Sequence, residues 1–284
     1  MTDKTPDFSS AADLAPVLPS LDDASIMLEE VRRQGPLVQN ITNYVAMTIS
    51  ANVLLAAGAS PAMVHSEEEV ADFVAIASAL VVNIGTLSPS WVAGMEIAAT
   101  AAGKAGKPWV LDPVGCGATP YRTEVARRLT ALKPTLIRGN ASEIMALAGA
   151  AGAAPKGVDS AAGSHEAIES ARGLARETGG IVAVTGETDY VVSASRTAAI
   201  VGGDVLMTAS TGVGCALSAL CGAFLAALPS AFGATVGAMA VYASAGSIAA
   251  RGAGGPGDIP ARLCNALYRL DREELRANSA IRAL

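Results

Sequence analysis

Clustered basic residues and CxxC pairs are missing from this chain of 284 residues, and no export signal is expected at its start. Its 20 Lys and Arg are scattered and outnumbered by 26 Asp and Glu, giving a net charge of −6. No electrostatic footprint for nucleic acid is therefore present, and the expected partner is a small molecule. The four cysteines, Cys116, Cys215, Cys221 and Cys264, form no CxxC pair, and no His stands near them at zinc-finger spacing. That argues against a structural zinc or a disulfide framework and for a reducing compartment, the cytoplasm. The first residues, MTDKTPDFSSAADLAPVLPS, carry acids and prolines where an export signal needs an apolar run, so residues 1–20 read as a flexible tail. Without a linker or an internal repeat, 21–284 read as one domain.

Charge is also missing from residues 205–250, and the mean hydropathy of the chain is +0.40. A membrane span does not follow. The stretch is mostly Ala, Gly, Ser and Thr, and Leu228-Pro229-Ser230 cuts its first apolar run below the ~20 residues that a spanning helix needs. The expectation is two helices, 215–228 and 231–250, buried inside an α/β protein.

Two nucleotide-binding signatures are absent as well. Gly212-x-Gly214 lacks its third glycine, since Leu217 stands in that place, and no acidic ribose ligand follows. Gly103-Lys104 and Gly106-Lys107 run into Ala105 and Pro108 instead of the Ser or Thr of a Walker A loop.

What is present is an alternation of short β-branched runs with longer helical patterns, which predicts βα units around a mostly parallel, buried sheet. Strands are expected at 37–41, 59–64, 80–84, 109–114, 135–138 and 181–185, followed by an antiparallel hairpin from 189–194 and 198–201. Ser66-Glu67-Glu68-Glu69 has the form of a capping box, Thr119-Pro120 that of a helix start, and the Ala- and Gly-rich 149–165 that of a loop. Ligands of such sheets gather beyond the carboxyl ends of the strands, where the six tails QNITN, HSEEE, NIGT, DPVGCG, RGNASE and TGETD lie.

Within those tails, Asp112 has two readings, a turn cap or a carboxylate aimed at the ligand. Asn140-x-x-Glu143 is a capping box by pattern, yet its oxygens beside Asp112 would also suit Mg²⁺. Arg138 can bind a phosphate in bidentate fashion or pair with an acid. His65 and His165 belong to no triad pattern and read as loop or helix-start residues. Cys215 follows Thr211-Gly212-Val213-Gly214 at the start of a helical pattern. It is either a small apolar packing residue or a thiol whose pKa the helix start would lower.

Seven blocks in order resemble the hydroxyethylthiazole kinases, a family with the ribokinase-like α/β fold: QNITN (39–43), ANVLLAAGASPAM (51–63), NIGTL (83–87), LDPVGCGATPYRTE (111–124), IRGNASEIMALAG (137–149), VTGETDYV (184–191) and STGVGCALSA (210–219). The resemblance implies a central, mostly parallel sheet with helices on both faces. It implies ATP-dependent phosphorylation of the hydroxyl of 4-methyl-5-(2-hydroxyethyl)thiazole, for thiamine biosynthesis or salvage, and a homotrimer with sites between subunits. Carried over residue by residue, it makes Met63 and Gly212 substrate contacts and Arg138 and Thr185 ATP contacts. Asp112, Glu143 and Asn140 become the Mg²⁺ and phosphate group, and Cys215 the acceptor of the hydroxyl proton. The lysine that the family carries before the glycines is absent from Thr208-Ala209-Ser210-Thr211-Gly212-Val213-Gly214-Cys215. A related kinase for hydroxymethylpyrimidine is the rival enzyme reading, which Met63 and the thiol at 215 disfavour. An inactive thiazole or nucleotide sensor is the rival outside enzymes, disfavoured by the joint presence of Asp112, Arg138, Glu143 and Cys215.

Overall fold

The computed structural model describes residues 18–149 and 161–284. The chain opens with α1 (Leu21–Gln34), β1 (Leu37–Ile41), α2 (Met47–Ala56), β2 (Ser60–Met63), α3 (Val70–Ile76), β3 (Ala79–Asn83), α4 (Pro89–Lys104) and β4 (Trp109–Asp112). It continues through α5 (Pro120–Thr130), β5 (Leu136–Asn140), α6 (Ala141–Leu147), α7 (Ala161–Thr178), β6 (Ile181–Thr185), β7 (Thr188–Val192) and β8 (Thr197–Gly202). Helices α8 (Val213–Ala227), α9 (Ala231–Ala250), α10 (Ile259–Arg269) and α11 (Arg272–Asn278) and strand β9 (Ser279–Ala283) complete it.

The strands form one nine-stranded sheet in the order β2-β1-β3-β4-β5-β6-β7-β8-β9. Pairing is parallel as far as β6 and antiparallel from β6 to β9. From β1 the chain moves outward to β2, then returns to lay β3 on the other side of β1. The sheet's topological switch point therefore lies between β1 and β3, where open α/β sheets leave a crevice at their carboxyl ends.

Helices cover both faces because successive strand residues point to opposite sides. Val38, Val81, Val110, Leu136 and Ala183 face a core shared with α1, α2, α8, α9 and α10. Ile41, Leu80, Val82, Leu111, Ile137 and Val182 face a second core with α3, α4, α5, α6 and α7. The uncharged stretch forms the two expected helices, and Ala231–Ala250 is the one helix among the described residues long and apolar enough to cross a membrane. Of its most apolar window, 83% is buried inside the fold, so its apolar surface is consumed by packing.

Four local expectations change. Helix α8 begins at Val213, two residues before Cys215. Ser66 forms no capping box: α3 starts at Val70 without a side-chain cap, and the Ser66 hydroxyl bonds the Glu68 carboxylate. The physical reason is a backbone turn, in which the Ser66 carbonyl accepts from the N–H groups of Glu69 and Val70 at 3.1 and 3.0 Å. The loop expected at 149–165 gives way to helix from Ala161, because Ala167, Ala171, Leu174 and Ala175 recur at helical spacing and are buried; 150–160 lie outside the described residues, as do residues 1–17 of the expected tail. The N-terminal reading also yields at Ser20, which caps α1 in a capping box with Asp23. Thr119 caps α5 ahead of Pro120 as expected.

Candidate active site

Alternation along the strands brings the polar residues together. Asn83, Asp112, Arg138 and Thr185 each stand two positions beyond Val81, Val110, Leu136 and Ala183, so all four project on the α8 side of the sheet, at its carboxyl edge. Asp112 is fully buried. Its Oδ2 accepts from Asn83 Nδ2 at 2.8 Å and from Ser218 Oγ of α8 at 2.7 Å, and lies 3.8 Å from Arg138 Nη1. Burial pushes the Asp112 carboxyl up to about 6, against the pull of Arg138 and with Glu143 adding to the rise. Its Oδ1 is buried without a partner, and so is Nε of Arg138. A buried carboxylate oxygen and a buried guanidinium N–H without partners cost of the order of 1–3 kcal/mol for each unmade bond, which makes both atoms candidates for contact with a ligand.

Arg138 Nη2 donates to Thr185 Oγ1 at 2.8 Å, and that hydroxyl donates to the Gly139 carbonyl at 3.3 Å. Burial alone would lower the guanidinium's pKa, but Asp112, Glu143 and Asp189 outweigh it and hold Arg138 charged. Asp189 on β7 is an acid that sequence reasoning missed. Its Oδ1 accepts from the Gly186 N–H at 3.0 Å, and burial pushes its carboxyl up to about 6.

Glu143 and Asn140 do form the capping box, as α6 begins with Asn140 Oδ1 accepting from the Glu143 N–H at 2.9 Å and Glu143 Oε2 accepting from the Asn140 N–H at 2.9 Å. Glu143 Oε1 takes the Gly115 N–H at 2.8 Å, tying α6 to the loop after Asp112. Asn140 Oδ1 also accepts from Ser142 Oγ at 2.7 Å, so it is used twice within the cap. The candidate ligand atoms of Asp112, Asn140 and Glu143 are oxygens. The Asp112 Oδ1 without a partner and the remaining lone pairs of Glu143 fit a small hard cation that takes one or two carboxylates and completes its shell with phosphate and water. No group of three or more His, Cys, Asp or Glu able to hold a metal exists among the described residues.

The α8 start supplies Cys215. Gly212 caps the helix at φ 79°, and a Cβ there would come within 2.8 Å of Ile49 Cγ2. A Cβ at Gly214 would stand 3.2 Å from Arg138 Nη1, so the missing side chain lets the guanidinium lie against the helix start. Tyr242 of α9 pins this turn by donating to the Val213 carbonyl at 2.6 Å. The Cys215 thiol does not have the lowered pKa expected at a helix start. Burial pushes it up and the Asp112 charge adds to that, outweighing Asn43, Asn83 and Arg138.

Met63 stands apart from this cluster. It ends edge strand β2, three strand spacings from β4, or about 14 Å across the sheet. His65, two residues on, lies in a loop as expected and stacks on Trp91 at 4.5 Å, while Tyr44 covers the same ring at 4.7 Å. His165 is exposed on α7 and remote from these residues in the chain. Besides Asp189, the residues missed are Asn43, Asn83, Ser218 and Arg122. Arg122 bonds the carbonyls of Ile84 and Val114 at 2.7 and 3.0 Å and of Gly85 at 2.8 Å, clamping the β3 and β4 loops together. Their position in strand-end tails was the available signal for the two asparagines; nothing local distinguishes Ser218.

The family model described as the hydroxyethylthiazole kinase family matches residues 28–273. A hydroxyethylthiazole kinase of Rhizobium etli (strain CIAT 652) is 56% identical over 256 residues, covering 90% of this chain and 99% of that protein. One of Cereibacter sphaeroides (strain ATCC 17023) is 50% identical over 263 residues, covering 93% and 100%. Among solved structures, a hydroxyethylthiazole kinase protein from Pyrococcus horikoshii OT3 matches with a TM-score of 0.85 at 39% identity, covering 93% of this chain and 99% of that one. The pyridoxal kinase from Staphylococcus aureus in complex with AMP-PCP matches with a TM-score of 0.64 at 16% identity over 88% of this chain and 99% of that one, a likeness of fold alone.

Proposed function

The chain belongs to the hydroxyethylthiazole kinase family, and from that premise we propose how its ribokinase-like fold divides the work. The reaction moves the terminal phosphoryl group of ATP to the primary hydroxyl of 4-methyl-5-(2-hydroxyethyl)thiazole, in thiamine biosynthesis. The hydroxyl oxygen forms the new bond to phosphorus as the bond to ADP breaks, and the hydroxyl proton leaves. Such transfers run through a loose transition state that asks for positioning and charge stabilisation rather than a strong base.

In this reading Arg138 binds phosphate charge through its open Nε, with Thr185 holding the guanidinium in place. Asp112 and Glu143 would hold Mg²⁺, and Asn140 orients Glu143 from the helix cap. What Mg²⁺ supplies when bound is neutralisation of charge on the phosphate oxygens. Gly212 touches the substrate through its backbone at the α8 start, where Ile49 leaves no room for a side chain, and Cys215 accepts the hydroxyl proton late, in its thiolate form. Met63 contacts the thiazole ring. Its place at the sheet edge, about 14 Å from the Asp112 strand, supports a homotrimer in which a neighbouring subunit completes the site. We read residues 21–284 as one cytoplasmic kinase domain acting on small molecules.

The observation that carries this reading is the pair of open buried groups, Asp112 Oδ1 and Arg138 Nε, on the edge where Cys215 lies. The test is Mg²⁺- and ATP-dependent phosphorylation by the purified protein, with the thiazole alcohol, hydroxymethylpyrimidine or no acceptor. Turnover confined to the thiazole alcohol is expected. Turnover of the pyrimidine would reverse the substrate, and none with either would leave the inactive sensor. Light scattering should give the mass of three 28.4 kDa chains.

A further inference from the structure

Two buried asparagines at the switch point lie between Cys215 and Asp112, and the reaction as described uses neither. Asn43 is 5% exposed and Asn83 1%. The orientation of each amide is fixed by the backbone. Asn43 Oδ1 accepts from the N–H groups of Val45 and Ala46 at 3.1 and 2.9 Å, at the entry to α2, which turns its NH₂ inward. Asn43 Nδ2 then donates to Cys215 Sγ at 3.3 Å and to Asn83 Oδ1 at 2.9 Å. Asn83 Oδ1 also accepts from the Gly85 N–H at 2.9 Å, so its own NH₂ must face Asp112, to which it donates at 2.8 Å. A Cβ at Gly85 would fall 2.6 Å from Asn43 Nδ2, so the loop closes directly on the amide.

We propose that Asn43 is a positioning residue of the reaction, holding the Cys215 sulfur as a hydrogen-bond acceptor and, through Asn83, tying it to the Asp112 carboxylate. The donors run from Asn43 at the β1 end through Asn83 to Asp112 on β4, with a branch from Asn43 to Cys215 on α8. The sulfur thereby receives an N–H that favours its thiolate, in a site where burial acts against it. The charged and titratable groups around that sulfur are Asp112 on β4, Arg138 on β5 and the Tyr242 phenol on α9.

The proposal rests on Cys215 accepting the hydroxyl proton, and its test does not require turnover. Asn43→Asp and Asn43→Ser both keep an oxygen to cap the α2 entry and both lose the NH₂ donor; only the first adds charge. In the full chain, iodoacetamide alkylation of Cys215 at pH 8, followed by mass spectrometry of its peptide, should slow at least about tenfold in both variants. With the thiazole alcohol, kcat should fall about 10–100-fold with KM for ATP within about twofold. In a Cys215→Ala background, Asn43→Ser should change kcat less than about twofold, because the residue acts through the thiol. Alkylation unchanged in both variants, or losses that add fully to Cys215→Ala, would overturn the proposal. A wild-type protein that does not turn over the thiazole alcohol would defeat the functional reading instead, while the alkylation rates would still decide this one.

Discussion

Cys215 lies under opposing influences, and their balance shapes the pH behaviour of the reaction. The helix start, Asn43 and Arg138 favour the thiolate, while burial and Asp112 favour the thiol and prevail. The basic form of an acid whose pKa is raised is scarce below that pKa and gains about tenfold per pH unit on approaching it. The expected outcome is that kcat climbs from pH 7 to pH 9 and that Cys215→Ala flattens the climb, which initial rates across that range would check. The same variant should lower kcat by ~10²–10⁴; an undiminished kcat would return Cys215 to a packing role. Arg138→Lys removes the planar fork that reaches Thr185 and the phosphate side together. It should raise KM for ATP while leaving the fold intact, as a titration of rate against ATP would report.

Elements place these residues more firmly than any side chain does. Eight of the nine strands end within two residues of their expected limits because β-branched runs bounded by turn residues mark them locally, while β9 was not expected. At α3 a competing local bond decided: the Ser66 carbonyl closed a turn on the Glu69 and Val70 N–H groups and its side chain does not cap the helix. Helix α8 depends on Gly212, whose positive φ and closeness to Ile49 leave no room for a side chain. Gly212→Ala should cost about 1–3 kcal/mol in denaturant unfolding and reduce activity further by shifting the α8 start away from Arg138.

Across the whole molecule, the uncharged helices α8 and α9 fill the core on the face of the candidate site, with Phe224 of α8 fully buried against Gly237 of α9. Phe224→Ala should lower the stability of the fold by about 3–5 kcal/mol with a small change in KM, separating core from site in thermal unfolding and kinetics. Much of this organisation was legible in the order of residues, since period-2 and period-3.6 patterns report local backbone geometry. Asp112, Arg138 and Cys215 were legible as candidates at strand and helix ends, and Asn140 with Glu143 as the capping box that α6 carries. The order of residues was thus enough for eight strands and for the candidates at their carboxyl ends, because period and turn chemistry are set by near neighbours, and the regular βα alternation leaves few ways to pair such strands other than a parallel sheet. Tertiary structure alone decided that Asn43, Asn83 and Ser218 bind the thiol and the carboxylate into one network. It alone reversed the expected shift of the Cys215 pKa, because desolvation depends on what the rest of the chain packs around a group and not on its neighbours in sequence.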